Sequence, residues 1–183
     1  IVLPEYTIAF GAHNAVYPKE DVEKVLLSVF ESEILQSMPG GDTGFVDNAY
    51  IAQTLANYFQ ASLIIGLEDS EDGQYYNSAF YFSPDGEKPI RYDKRVLVPM
   101  GEYIPFEWIK PIAAMHGLEE SFSPGTMVKV FPGKVPLGIS ICYEETYGNI
   151  VRQNKQQGAQ LLVNISNDNW FPDSSLPLYH AEN

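Results

Sequence analysis

Gly138-Ile139-Ser140-Ile141-Cys142-Tyr143-Glu144-Glu145 holds the only cysteine of the 183-residue chain. An apolar alternation (Leu137, Ile139, Ile141) runs up to that cysteine, and two carboxylates follow it. The alternation predicts a buried strand, and Thr146 to Gln157 predicts a helix after it. Cys142 therefore falls at a strand-to-helix elbow on the rim of a sheet. Backbone N–H groups at such an elbow can face a substrate oxygen. A lone cysteine is ordinarily an inert small hydrophobe, so its neighbours decide what it is.

Working outward, Gln160 to Ile165 predicts an inner strand, with Asn167-Asp168-Asn169-Trp170-Phe171-Pro172 at its carboxyl end. Upstream, Met127 to Phe131 and Val135 to Ile141 predict a hairpin turning at Pro132-Gly133-Lys134. A second hairpin is expected from Asn77 to Phe82 and Ile90 to Val96, joined by the turn signature Ser83-Pro84-Asp85-Gly86. Its second arm ends on Tyr92-Asp93-Lys94-Arg95. Val98 to Pro105 follows as a stiff loop with two prolines and Glu102, and Phe106 to His116 predicts a short apolar helix. Ser62 to Gly66 is short and β-branched enough for an inner strand, with Glu68 to Gln74 an acidic loop beyond it.

Nearer the start, Ile1-Val2-Leu3 has a short buried-strand pattern ended by Pro4-Glu5. The spacing of Val22, Val25, Leu26, Val29 and Phe30 predicts one helix from Glu20 to Ser37, stopped by Met38-Pro39-Gly40-Gly41. Asp47 is placed to cap a second helix that buries Ile51, Ala52, Leu55, Tyr58 and Phe59. Strands alternate with helices yet also pair through hairpins, so the expected fold is α/β with mixed sheets, in a single domain.

The bulk numbers narrow the function classes. A formal charge of −13, from 24 acidic and 11 basic residues, argues against nucleic acid as partner and against a basic lipid-binding patch. One cysteine excludes an intrachain disulfide and a multi-cysteine zinc site. No apolar run approaches the roughly 18 residues of a membrane helix. The chain opens on Ile1 without Met and closes inside an element at Asn183, so it is expected to be part of a longer protein.

Polar groups follow four predicted strands: Glu5, Lys94, Cys142 and Asn167-Asp168. Alone, Glu5 and Lys94 read most simply as solvated residues and Cys142 as an inert small hydrophobe. Together at one sheet end they would be a coherent site. A carboxylate takes the thiol proton and returns it to a leaving group. A lysine favours the thiolate and, with the N–H of Tyr143, stabilises an oxyanion. His13, His116 and His180 supply no evident Cys–His pair.

Pro4-Glu5, Tyr92-Asp93-Lys94-Arg95 and Ile141-Cys142-Tyr143-Glu144 resemble the three signature segments of the nitrilase (carbon–nitrogen hydrolase) superfamily. Leu97 to Pro105, Cys142-Tyr143-Glu144 and Leu162 to Phe171 resemble its apolipoprotein N-acyltransferase branch, with Met100 where that branch usually has Phe. The resemblance covers Leu3 to about His180. It implies an α-β-β-α sandwich, here truncated at both ends: a partial carbon–nitrogen hydrolase domain over residues 1–183. It implies Glu5 as general base, Lys94 as oxyanion-stabilising cation and Cys142 as nucleophile. Glu102 would orient Lys94 or an incoming amine, with Tyr143 and Glu144 supporting the nucleophile. Trp170 and Phe171 would contact acyl chains, and His180 would be structural. The implied reaction needs no metal or organic cofactor. A phospholipid acylates Cys142, and the N-terminal amine of a diacylglyceryl-cysteine lipoprotein takes the acyl chain. The parent is then expected in a bacterial inner membrane, through a multispan region, with this domain facing the periplasm. The alternative is a soluble amidase of the same superfamily acting on a small amide. It would use the same triad, so only the flanking motifs separate the two.

Overall fold

The computed structural model describes residues 1–41, 44–84, 86, 88–106, 108, 111 and 121–167. Its centre is a pair of three-stranded sheets packed face to face. The first is an antiparallel meander of β3 (Leu63–Glu71), β4 (Gln74–Phe82) and β5 (Ile90–Asp93). The second orders β6 (Val130–Phe131), β7 (Leu137–Ile141) and β8 (Leu161–Ile165), with β6 antiparallel and β8 parallel to β7. A minor ribbon, β1 (Tyr17–Pro18) with β2 (Phe45–Val46), lies outside both.

Side-chain alternation assigns the layers. Leu63, Ile65, Leu67, Phe80 and Phe82 point to one side and pack on Ala52 and Ala56 of helix α2 (Asn48–Tyr58). Ile64, Ala79, Tyr81 and Tyr92 point to the other side and meet Phe131, Ile139, Ile141 and Ile165 of the second sheet. Behind that sheet lies helix α3 (Gly148–Gln156), whose Asn154 Nδ2 donates to the Ile139 carbonyl at 3.0 Å. Gly138 makes this approach possible, since a Cβ there would stand 2.6 Å from that of Asn154. The sequence of layers is helix, sheet, sheet, helix, as expected, and the sheets are mixed in the second case only.

Helix α1 (Lys19–Val29) begins where expected but stops early. Phe30 is extended (φ −118°, ψ 165°), and the turn sets its ring edge-on against Tyr58 and Phe59. A 3₁₀ segment, Ser32–Ser37, then replaces the remainder of the expected helix. Only Val22 and Leu26 of the predicted stripe on α1 are buried, whereas Val25 is 62% and Val29 70% exposed. The capping of α2 is as predicted: the Asp47 carboxylate accepts the Tyr50 N–H at 2.8 Å.

The acidic loop expected from Glu68 to Gln74 is instead the end of a long hairpin. Only Asp72 and Gly73 lie between the paired Glu71 and Gln74, at φ +51° and +74°. Positive φ at both central residues is the two-residue turn that Asp-Gly favours, because its twist matches that of the flanking strands. The carboxylates are consumed structurally: Asp69, Glu71 and Asp93 all pair with Arg91. Other expected strands are shorter. Ile1-Val2-Leu3 reduces to a parallel bridge of Val2 with Ile64, and the hairpin arm at Met127 reduces to β6. The Phe106 to His116 helix falls largely outside the described residues.

Candidate active site

Glu5 is delivered by a segment laid along β3. The Leu3 N–H donates to the Ile64 carbonyl at 2.8 Å, and the Gly66 N–H to the Pro4 carbonyl at 3.1 Å. Gly66 is required for this fit, because a Cβ there would lie 2.5 Å from the Glu5 Cα. Lys94 follows β5, its N–H bonded to the Asn77 carbonyl at 2.8 Å. Glu102 is fixed in the loop that begins at Val98, whose N–H donates to Glu102 Oε2 at 2.8 Å. All three charged side chains are buried: Glu5 is 2%, Lys94 1% and Glu102 7% exposed.

Such burial is tolerable only with pairing and satisfied hydrogen bonds. Lys94 Nζ donates to Glu102 Oε1 at 2.9 Å and stands 3.6 Å from Glu5 Oε1. Burial pulls the Lys94 ammonium down, but the charges of Glu5 and Glu102 outweigh it and hold the group above an ordinary lysine. Asn77 Nδ2 donates to both Glu5 Oε1 (2.8 Å) and Glu102 Oε1 (2.7 Å). The Asn167 N–H closes the arrangement on Glu5 Oε2 at 3.0 Å.

Cys142 leaves β7 at φ +50°, a left-handed conformation that costs a side-chain-bearing residue energy. Asn164 holds the elbow, donating to the Cys142 carbonyl at 3.1 Å and to Ser140 Oγ at 3.0 Å. The segment after it, Cys142–Thr146, is a 3₁₀ turn, and α3 starts only at Gly148. Burial pushes the thiol up and the Glu5 charge adds to it. The Ser166 side chain, the Lys94 cation and the Tyr143 N–H pull against them, and the thiol stays above its ordinary value. The resting group is therefore a thiol beside a carboxylate and a cation, with the Tyr143 N–H among the groups that favour its thiolate.

Glu144 is fully buried, and its place explains its effect on the site. Its two oxygens accept from the Tyr92 hydroxyl, the Ile141 N–H, the Arg95 N–H and the Val96 N–H, at 2.6–3.1 Å. It thus straps the chain just past Lys94 to the strand end just before Cys142. Tyr143 is half-buried, with its ring edge-on to Tyr147. Asp168, Trp170, Phe171 and His180 lie outside the described residues. Among the described residues no three His, Cys, Asp or Glu side chains are grouped to hold a metal ion.

The carbon–nitrogen hydrolase family model matches residues 1–182. The chain belongs to that family. It is 39% identical to the apolipoprotein N-acyltransferase of Chlamydia pneumoniae over 98% of its own length and 34% of that protein's. Identity to the Haemophilus influenzae protein of the same name is 30%, over 94% of this chain and 35% of that protein. The chain thus spans about a third of the length of the curated relatives it matches. Among solved structures, a carbon–nitrogen hydrolase from Helicobacter pylori covers all of this chain with 52% of its own (TM-score 0.54, 19% identity). An amidase of the nitrilase superfamily from Nesterenkonia covers 96% of this chain with 54% of its own (TM-score 0.54, 20% identity). At those identities the solved structures bear on fold alone.

Within this family domain, residues that no motif marks also enter the cluster. The sequence pattern marks Asn77 only as the start of a strand, yet it is 2% exposed and touches both carboxylates. A polar amide inside an apolar β4 was the available signal, since a buried amide needs partners. Ser166 and Tyr6 carried no such mark. The Tyr6 hydroxyl is pushed up by burial first, then by Glu102, Glu5, Glu68 and Cys142, which places it among the same charges.

Proposed function

We propose that this domain is the catalytic part of an apolipoprotein N-acyltransferase, with Cys142 as nucleophile, Glu5 as base and Lys94 as oxyanion-stabilising cation. The observation that carries acyl transfer is the buried Glu5–Lys94–Glu102 cluster beside a thiol held at a strained elbow. The choice of donor and acceptor rests on the curated relatives, which are named apolipoprotein N-acyltransferases.

In the first half-reaction Cys142 Sγ attacks the carbonyl carbon of a phospholipid ester while Glu5 accepts the thiol proton. The C–S bond forms and the negative oxygen develops beside the Lys94 ammonium. The ester C–O bond then breaks, and the departing lysophospholipid oxygen takes the proton from Glu5. In the second half the free amine of a diacylglyceryl-cysteine lipoprotein attacks the thioester carbonyl. Glu5 receives one amine proton and returns it to the leaving thiolate, so the enzyme is regenerated. Lys94 serves both halves without losing its own proton, because two carboxylates hold its charge. Glu102, bonded to Lys94 at 2.9 Å, orients it, and Glu144 acts from a distance as a strap between Lys94 and Cys142. Trp170 and Phe171 are assigned to the acyl chains.

The full-length protein is assigned to the bacterial inner membrane through a multispan region, with this domain in the periplasm. No helix among the described residues is long and apolar enough to cross a membrane; the spans are assigned to the rest of the protein. The test is transfer of a labelled acyl chain from phospholipid to a synthetic diacylglyceryl-cysteine peptide by full-length protein in detergent. Parallel double-reciprocal plots, the pattern of a ping-pong route, and loss of transfer in Cys142→Ala are expected. Hydrolysis of small amides without any transfer would favour the soluble amidase instead.

A further inference from the structure

One amide nitrogen, Asn77 Nδ2, donates to Oε1 of Glu5 and to Oε1 of Glu102, at 2.8 and 2.7 Å. Lys94 Nζ faces the same two oxygens, at 3.6 and 2.9 Å. The four groups form a closed ring in which a neutral amide and an ammonium alternate with two carboxylates. An ionised carboxylate offers about four acceptor directions, two on each oxygen. On Glu5, Oε1 accepts from Asn77 and also carries the ion pair to the Lys94 ammonium at 3.6 Å, beyond hydrogen-bond distance, while Oε2 faces no cation and accepts the Asn167 N–H at 3.0 Å.

We propose that Asn77 is a positioning residue for the acyl transfer, committing Glu5 Oε1 to the ring and leaving Oε2 as the oxygen that exchanges the proton with Cys142. Both hydrogens of the amide are used, one on each carboxylate, so Asn77 sets the separation of Glu5 and Glu102 as well as the rotation of Glu5. Its main chain fixes it in turn: the Asn77 carbonyl accepts the Lys94 N–H at 2.8 Å. The same residue thus ties the base and the cation together through its side chain and its backbone. A hydrogen bond from a neutral donor favours the ionised form of a carboxylate, where a third charged group would unbalance the ring. The charged and titratable groups facing Glu5 are Lys94, Glu102, Cys142 and the Tyr6 hydroxyl.

This inference rests on the roles proposed above for Glu5 and Cys142, so its test uses a donor that does not depend on the lipid assignment. Full-length protein and the variants Asn77→Asp and Asn77→Ser are acylated with a p-nitrophenyl acyl ester. The first-order rate of thioester formation is followed from pH 4 to pH 9, with thermal unfolding of each protein measured alongside. Asn77→Ser keeps one hydroxyl donor and is expected to move the acid limb of the rate profile up by about one pH unit, the scale of one lost hydrogen bond to a charged group. Asn77→Asp keeps the shape but removes both donors and adds a carboxyl, and is expected to move the limb further. Either folded variant keeping the wild-type acid limb, with no more than a change in melting temperature, overturns the proposal and leaves Asn77 a packing residue. Failure of wild-type protein to take an acyl group from phospholipid, while the ester still acylates Cys142, would count against the lipid substrate and not against Asn77.

Discussion

At the scale of single residues, the site depends on charges that are buried together. The sign of the thiol's pH response follows from its surroundings. Burial and Glu5 favour the protonated form of Cys142 and outweigh the Ser166, Lys94 and Tyr143 contributions. Alkylation by iodoacetamide should therefore be slow at neutral pH, with a midpoint above that of an ordinary thiol. Replacing Glu5→Gln removes a contribution that raises the thiol, so the midpoint should move down even as acyl transfer is lost. A midpoint that rises in Glu5→Gln would contradict this account of the local field. Glu144→Gln tests the strap. A glutamine oxygen can satisfy at most half of the four donors now meeting Glu144, leaving the others against an N–H₂ group. We expect a loss of about 2–4 kcal/mol in stability, read by thermal or urea unfolding. Retained stability would show that the elbow and the Lys94 strand end are held by other contacts. The cysteine, Glu5 and Lys94 were legible because each interrupts an apolar strand pattern with a group that chemistry can use. The strap was not, since three of its four donors, the Tyr92 hydroxyl and the Arg95 and Val96 N–H groups, lie about fifty residues away in sequence.

At the scale of elements, two glycines of the first hairpin do different things. Gly73 sits in the turn at φ +74°, with nothing within 4 Å of an added Cβ. Gly73→Ala should cost about 1 kcal/mol through backbone strain alone and leave acylation intact. Gly66 lies under the Glu5 segment, where a Cβ would meet backbone at 2.5–2.9 Å. Gly66→Ala should displace Glu5 and slow acylation of Cys142 at least tenfold, since misplacing a reacting group by about 1 Å costs on the order of a hundredfold. Equal activity losses in the two variants would remove the distinction. The Asp72-Gly73 pair was a readable turn signal that the surrounding acidic residues obscured; two of these, Asp69 and Glu71, pair with Arg91. The break of α1 at Phe30 was not readable, because the apolar spacing continues through it. The turn there sets Phe30 edge-on against Tyr58 and Phe59, contacts that no local spacing announces.

For the whole molecule, the sandwich is what converts separate motifs into one site. Strand alternation divides Leu63, Ile65 and Leu67 from Ile64, and the side that receives Ile64 packs on Ile139 and Ile141 of the second sheet. That packing sets β7, and with it Cys142, beside the segment carrying Glu5. Ile139→Ala should therefore cost about 2–5 kcal/mol by the loss of buried side chain and the cavity it leaves. Mixed strand pairing was legible from the hairpins and the helical crossover, and the layer order from the family resemblance. Glu102 and Asn167 were legible too, the first by the family resemblance and the second by its place after a strand. The link that Asn77 makes between Glu5 and Glu102 was not, because a polar side chain within a strand gives no sign of which distant groups it meets. The claim that the assembled geometry forms a thioester is tested most directly by intact mass. Full-length protein in detergent is incubated with phospholipid beside Cys142→Ala. We predict a gain of one fatty acyl group that hydroxylamine removes and that the variant lacks. A folded, wild-type protein that gains no acyl mass, or an adduct that persists in Cys142→Ala, would contradict it.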